Sequence, residues 1–210
     1  MNKHILYIIL CIFLYSCMGT YNTDAQKAII TEESRSSIKN LGDTITMYPT
    51  ASSVYWKGTK MRGAGKHEGE VLIKNGYFIT KNKQIIGGHF IIDMSTIGVT
   101  DIPEHELIPR KNLNDHLKSS DFFDVAHFPI AVFDIITIKK STQNRLRVSG
   151  NLTLKGITKT IEFDALYTDH VFSTVFTIDR FQWNIAYKGD IINKTLVDKD
   201  LELTIRIITK

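Results

Sequence analysis

The 210-residue chain carries 26 Lys and Arg against 22 Asp and Glu, a formal net charge of +4, and 43% hydrophobic residues. A balance this mild argues against a nucleic-acid surface, because the basic residues (Lys57, Lys60, Arg62, Lys66, Lys81, Lys83, Lys139, Lys140) are scattered at apparent turns and read as solvated hairpin ends. The only cysteines, Cys11 and Cys17, both lie near the N-terminus, which excludes a zinc or iron–sulfur cysteine cluster and a disulfide within the folded part.

Residues 1–16 read as a signal peptide. Lys3 sits in a short polar start, and Ile5 to Leu14 is an apolar run too short to span a bilayer. The run ends in Leu14-Tyr15-Ser16-Cys17, which resembles the lipobox of bacterial lipoproteins and implies lipidation of Cys17. An ordinary cleaved signal peptide and an uncleaved anchor are the alternatives. Several acyl chains on Cys17 would hold the protein on a membrane, whereas one chain is marginal. Residues 17–44 are polar and read as a flexible tether, in which Ala25 to Ile30 is compatible with a helical turn.

From Ile45 to Lys210 the texture changes to short runs of alternating polarity, enough chain for one domain with a sizeable core. Ile86, Gly88, Phe90, Ile92 and Met94 share one face, as do Leu146, Val148, Gly150, Leu152 and Leu154. Ile161, Phe163 and Ala165 repeat the pattern, followed by Phe172, Thr174, Phe176 and Ile178, then Leu201, Leu203, Ile205 and Ile207. Less regular strands are expected at Ser53–Lys57, Gly69–Lys74, Tyr77–Lys81 and Ile130–Ile138. Lys74-Asn75-Gly76 reads as a tight turn, Lys81-Asn82-Lys83 as a weaker one, and Lys155-Gly156 and Lys188-Gly189-Asp190 as further turns. Gly87-Gly88 suggests a bulge or bend. About eight to ten strands with one apolar face each make an all-β antiparallel barrel or sandwich, not a buried parallel sheet.

One segment breaks this texture. Asn114 to Pro129 reads NDHLKSSDFFDVAHFP, and a single helix is expected over Arg110–Lys118 with Leu113 and Leu117 at i, i+4 facing the barrel. Phe122-Phe123 follows it. Two adjacent Phe are costly to expose, each being worth roughly 1.5–3 kcal/mol on burial. At least one should point inward, so the insert is expected to plug an apolar cavity.

Catalytic motifs are absent from the sequence: there is no G-x-S-x-G elbow, no P-loop and no H-E-x-x-H. Gly63-Ala64-Gly65 starts a dinucleotide pattern, but Glu68 stands where the third glycine belongs. His67, His89, His105, His116 and His127 lie near Asp93, Asp101, Glu104, Asp121 and Asp124, but no two histidines have ligand spacing on one element. Surface or capping roles are the plain reading, with a metal-binding or hydrolytic barrel built on His67 and His116 as the alternative. Asp179-Arg180 reads as an ion pair at a strand end. Trp56, Phe78, Phe90, Phe133, Phe163, Phe172 and Phe176 come from different strands, mostly on the apolar parity. They either fill a core or line a cavity for one small or elongated ligand.

The ordered pieces Ser53-Val54-Tyr55-Trp56-Lys57-Gly58, Lys66-His67-Glu68-Gly69 and Gly87-Gly88-His89-Phe90-Ile91-Ile92-Asp93-Met94 come first. His116 to Asp124 with Phe128-Pro129, Gly150 to Lys159 and Ile178-Asp179-Arg180 complete the set. Together they resemble the YceI-like family, lipocalin-like proteins described as polyisoprenoid-binding. The resemblance implies an antiparallel eight-stranded β-barrel with a short helical insert, an exported location in the periplasm or cell envelope, and a long apolar tunnel. An isoprenoid quinone tail or a polyprenyl lipid is the expected ligand, without catalysis and without a metal. Parity gives the expected lining as Trp56, Phe78, Phe90, Phe122, Phe133, Leu152, Phe163 and Phe176. Expected partners are the isoprenoid-type lipid, a membrane reached through Cys17 and a second copy in a homodimer; nucleic acid is not among them. A structural, stress-related module with a filled core and no ligand is the remaining alternative.

Overall fold

Residues 23–34, 42–142, 144–186 and 197–210 are described by a computed structural model. Residues 1–16, Cys17 and Lys188-Gly189-Asp190 lie outside the described residues.

Three short strands come first, β1 (Gln26–Lys27), β2 (Ile29–Glu32) and β3 (Asp43–Thr46). Eight longer ones follow: β4 (Ser53–Lys60), β5 (Gly65–Lys81), β6 (Gln84–Val99), β7 (Ile130–Lys140), β8 (Arg145–Leu154), β9 (Ile157–Thr168), β10 (Val171–Asp179) and β11 (Val197–Ile208). Helix α1 (Leu107–Lys118) lies between β6 and β7. The eight pair antiparallel in the order β10-β11-β4-β5-β6-β7-β8-β9, and β9 returns to β10, which closes the barrel. The fold is therefore the all-β, eight-stranded antiparallel barrel with one short helix that the alternation and the resemblance imply.

Hairpins fix the register. Asn82-Lys83, Lys155-Gly156 and Asp169-His170 are two-residue loops with positive φ at both positions, whose twist matches that of the flanking strands. The stronger-looking signal, Lys74-Asn75-Gly76, is not a turn. β5 runs straight through it, and the pairing skips Lys74, since Ile73 faces Ile92 while Asn75 faces Ile91. Gly76 is needed there because a Cβ would lie 2.3 Å from Cδ1 of Phe90. A second skip falls at Ile86, beside Gly87-Gly88, where the bend is expected. The largest irregularity is at 94–97, opposite Val71. It is closed by local bonds: Ser95 N and Oγ donate to Asp93 Oδ1 at 3.0 and 2.6 Å, and Leu72 N donates to Thr96 Oγ1 at 2.9 Å. The Ser95 bonds hold the Asp93 carboxyl below the usual carboxylate range, against a smaller opposing effect of desolvation.

The tether expectation needs correction for part of its length. β9 and β10 pair directly only at 166–168 with 171–173, and then diverge. The N-terminal segment lies in that gap: Gln26 and Lys27 pair parallel to Phe176 and Thr177, and Ile29 to Glu32 pair antiparallel to Glu162 to Lys159. Ala28 between them is buried, with its N–H donated to Thr177 O at 2.9 Å. The free ladder groups of β9 and β10 supply a template that overrides the weak local preference of a polar stretch. β3 likewise pairs with the far end of β5.

Helix α1 starts three residues earlier than its apolar spacing indicates, because Leu107 and Ile108 are exposed and carry no periodic signal. Pro109 falls in the first turn, where its missing N–H costs nothing. Leu117 is buried and Leu113 packs against the core.

Candidate functional site

The inward faces of the strands enclose an apolar cavity of about 100 Å³. Val54 and Trp56 from β4, Ile73 from β5, Phe90 and Met94 from β6, Phe133 from β7, Leu152 from β8, Phe163 from β9, Phe176 from β10 and Leu203 from β11 contribute to its wall, and every lining residue is apolar. Phe163 stacks on Phe176 at 4.2 Å between centroids, with Phe133 5.8 Å from Phe163.

Of the residues expected from parity, Trp56, Phe90, Phe133, Leu152, Phe163 and Phe176 stand in this wall. Phe78 and Phe122 do not. Phe78 is fully buried at the hairpin end, where it packs against Phe90, Phe172 and Tyr167 at 4.9, 5.2 and 6.1 Å. Phe122 is buried at the opposite end, 5.0 Å from Phe123. Parity assigns a side of the sheet but not a height along the barrel axis, so it cannot tell an end plug from a wall residue. The Phe pair divides the work, since Phe123 rather than Phe122 reaches the cavity.

The helix end carries a second, mixed hollow of about 190 Å³, lined by Leu113, His116 and Leu117 of α1, by Phe122 and Phe123, and by Thr59, Lys60 and His67 of the facing hairpin. Trp56, Phe123 and Leu201 belong to both hollows, so this mouth adjoins the apolar cavity directly. Trp56 has room because it faces Gly69 across the β4–β5 ladder, where a Cβ would lie 2.7 Å from the indole Cζ2. Trp56 is only 6% exposed, and among the described residues its Nε1–H has no hydrogen-bond partner. An unmet buried donor costs about 1–3 kcal/mol.

A cover of irregular backbone seals the mouth. Lys155 Nζ donates to the carbonyls of Ser120, Phe122 and Asn184 at 3.1, 2.7 and 3.3 Å. Arg180 and Asp179 do not form the expected pair: Asp179 Oδ1 accepts from Phe181 N at 3.1 Å, and Arg180 turns inward, almost fully buried. The Arg180 guanidinium donates to the carbonyls of Asp198, Val197 and Ile185. Trp183 and Ile185 are fully buried beside it, and Trp183 Nε1 donates to Leu152 O at 3.0 Å. The sequence of this 180–185 plug alternates like a strand, with Phe181, Trp183 and Ile185 apolar and Gln182 and Asn184 polar, but its backbone makes a 3-10 turn over Arg180–Trp183.

Three histidines each lie on a carboxylate of their own. His67 Nδ1 lies 3.0 Å from Asp101 Oδ2, His89 Nδ1 2.7 Å from Asp134 Oδ1, and His127 Nδ1 2.8 Å from Asp124 Oδ1. His67 and His116 share the mouth, with the His116 ring 5.4 Å from that of Phe122. Burial holds the His116 imidazole below its ordinary pKa, aided by Arg180 and opposed by Asp121. Among the described residues, no group of three His, Cys, Asp or Glu is placed to hold a metal ion.

Solved structures share this fold. BcnA of Burkholderia cenocepacia is similar with a TM-score of 0.62 at 19% identity, over 78% of this chain and 99% of that one. A polyisoprenoid binding domain from Saccharophagus degradans gives 0.58 at 11% identity, over 79% and 97%. Protein YceI of Salmonella arizonae and that of Salmonella newport are each 44% identical over 50 residues, 24% of this chain and only 26% of theirs. The match thus spans about a quarter of those curated relatives. The YceI-like domain family matches residues 46–209, which hold all eight barrel strands from β4 to β11, and the chain belongs to that family.

Proposed function

We propose that the protein is a membrane-tethered lipid-binding barrel that holds an isoprenoid or similar long apolar chain, for transport or sequestration and without catalysis. The observation that carries this reading is the cavity wall, apolar at every position and drawn from all eight barrel strands. Such a wall discriminates by shape and length, and each buried CH₂ contributes about 0.8 kcal/mol. The similarity to a polyisoprenoid binding domain of another organism supports the same ligand class.

Volume sets a condition. A water in liquid occupies about 30 Å³, so a cavity of about 100 Å³ admits a short piece of a chain and not its length. A long ligand must displace side chains, and Phe123 and Met94 are the candidates. Phe123 belongs to the insert and not to the wall, and Met94 is flexible.

The N-terminal segment extends the reading: export as a lipoprotein, with lipidated Cys17 holding the barrel at a membrane of the bacterial envelope. A homodimer is a further expectation, read by light scattering. Organic extraction of the purified protein followed by mass spectrometry tests the ligand. A co-purifying quinone or polyprenyl lipid is expected; a delipidated protein that takes up no such lipid sinks the proposal.

A further inference from the structure

We propose that Trp56 recognises the polar end of the bound chain, its Nε1–H donating a hydrogen bond to an uncharged oxygen acceptor, such as the carbonyl of a quinone or ester head group. This rests on the lipid-binding reading and adds a head-group site to it.

Trp56 stands where the apolar cavity meets the mixed mouth and forms part of both walls. An indole used only to fill space gains nothing from its N–H, and buried Trp normally finds an acceptor. Trp183 illustrates this in the same molecule, its Nε1 donating to Leu152 O at 3.0 Å. The Trp56 N–H has no such partner among the described residues, although the residue is nine-tenths buried. Gly69 opposite it keeps the ring seated at the junction, since a Cβ there would strike the indole. The N–H itself exposes almost no surface to either hollow, so an oxygen on the ligand meets that donor once the tail has displaced the side chains that cover it, as the small cavity already requires.

The surroundings select an uncharged oxygen. Leu113, Leu117 and Phe123 strip water from the junction, and a full charge there would lose its hydration. Two of the nearby polar groups are already engaged on carboxylates: Thr59 Oγ1 donates to Asp198 Oδ2 at 2.6 Å, and His67 lies on Asp101. Those carboxylates disfavour an anion. Lys60 stands exposed at the rim.

The test uses ¹⁵N-labelled protein, which has two indole signals, from Trp56 and Trp183. Three probes are titrated: a ubiquinone with a polyprenyl tail, squalene as an isoprenoid hydrocarbon without oxygen, and a polyprenyl monophosphate. The ubiquinone should move the Trp56 indole signal downfield and leave that of Trp183 in place; squalene should bind without the downfield shift. Trp56→Phe should weaken ubiquinone binding about tenfold, the worth of one hydrogen bond, and leave squalene binding unchanged. A Trp56 signal indifferent to the quinone, equal losses for quinone and squalene in the variant, or tighter binding of the phosphate would overturn the assignment while leaving a lipid-binding barrel in place. Failure of all three probes to bind overturns both. Should the variant not fold, the indole shifts of the unaltered protein decide alone.

Discussion

At the hairpin end of the barrel, Phe78 packs against Phe90, Phe172 and Tyr167, and every one of these rings is carried by a wall strand. At the helix end, the cover is an insert: α1, the Phe122-Phe123 pair and the 180–185 plug, tied down by side chains that donate to loop carbonyls. Displacing the first seal means breaking strand ladders. Displacing the second means shifting elements that no ladder holds. Aromatic burial is similar at both ends, so attachment distinguishes them, and among the described residues the mouth is the end that can open without breaking a strand ladder.

Substitutions separate the ends. Phe78→Ala, at a fully buried ring, should cost about 3–5 kcal/mol in urea unfolding, the usual price of a large core cavity, while leaving lipid exchange rates unaltered. Phe123→Ala should cost less, about 3 kcal/mol, because the ring already borders a cavity and the site can relax. It should accelerate exchange of a bound polyprenyl quinone, measured by transfer to labelled vesicles. If Phe78→Ala accelerates exchange and Phe123→Ala does not, the ends have been assigned the wrong way round. Lys155→Ala removes three half-exposed carbonyl contacts and should cost about 1 kcal/mol. Hydrogen exchange should rise at 119–125 and not around Phe78.

The smallest effect is in pH. The depressed pKa of His116 means that the folded state favours the neutral ring. Its contribution is whole above the ordinary value of 6.5 and is lost as pH falls through the lower folded value. His116→Gln should flatten the decline in thermal midpoint between about pH 7 and about pH 5. An unchanged slope would show that the ring does not govern acid loosening of the cover.

Alternation made the eight barrel strands legible, since a half-buried strand must repeat every second residue. Runs extended beyond their expected ends, as at β5 and β6, because ladder partners hold residues whose own pattern has lapsed. Asn75-Gly76 shows the limit of reading glycine locally: its cause is the ring of Phe90, fourteen positions beyond Gly76 and brought in by the neighbouring strand. The β1–β2 segment was illegible for a related reason, its pairing being dictated by a gap elsewhere in the wall. At the site, parity found the wall aromatics but placed Phe78 and Phe122 in it as well, and it said nothing of the unpaired indole N–H of Trp56.

The segment in that gap also sets the girth. Near the hairpin end β9 touches β10, and eight strands complete the circuit. Farther toward the mouth, residues 26–32 stand between them as an added stave. Because diameter grows with strand number, the added stave lengthens the circuit above the Phe78 base, where β9 and β10 pair directly. Side chains bind this stave as well as ladders, Lys27 Nζ donating to Asp200 Oδ1 at 3.0 Å and Lys159 Nζ to Glu32 Oε1 at 2.7 Å, so a segment ahead of the barrel strands helps to close their circuit.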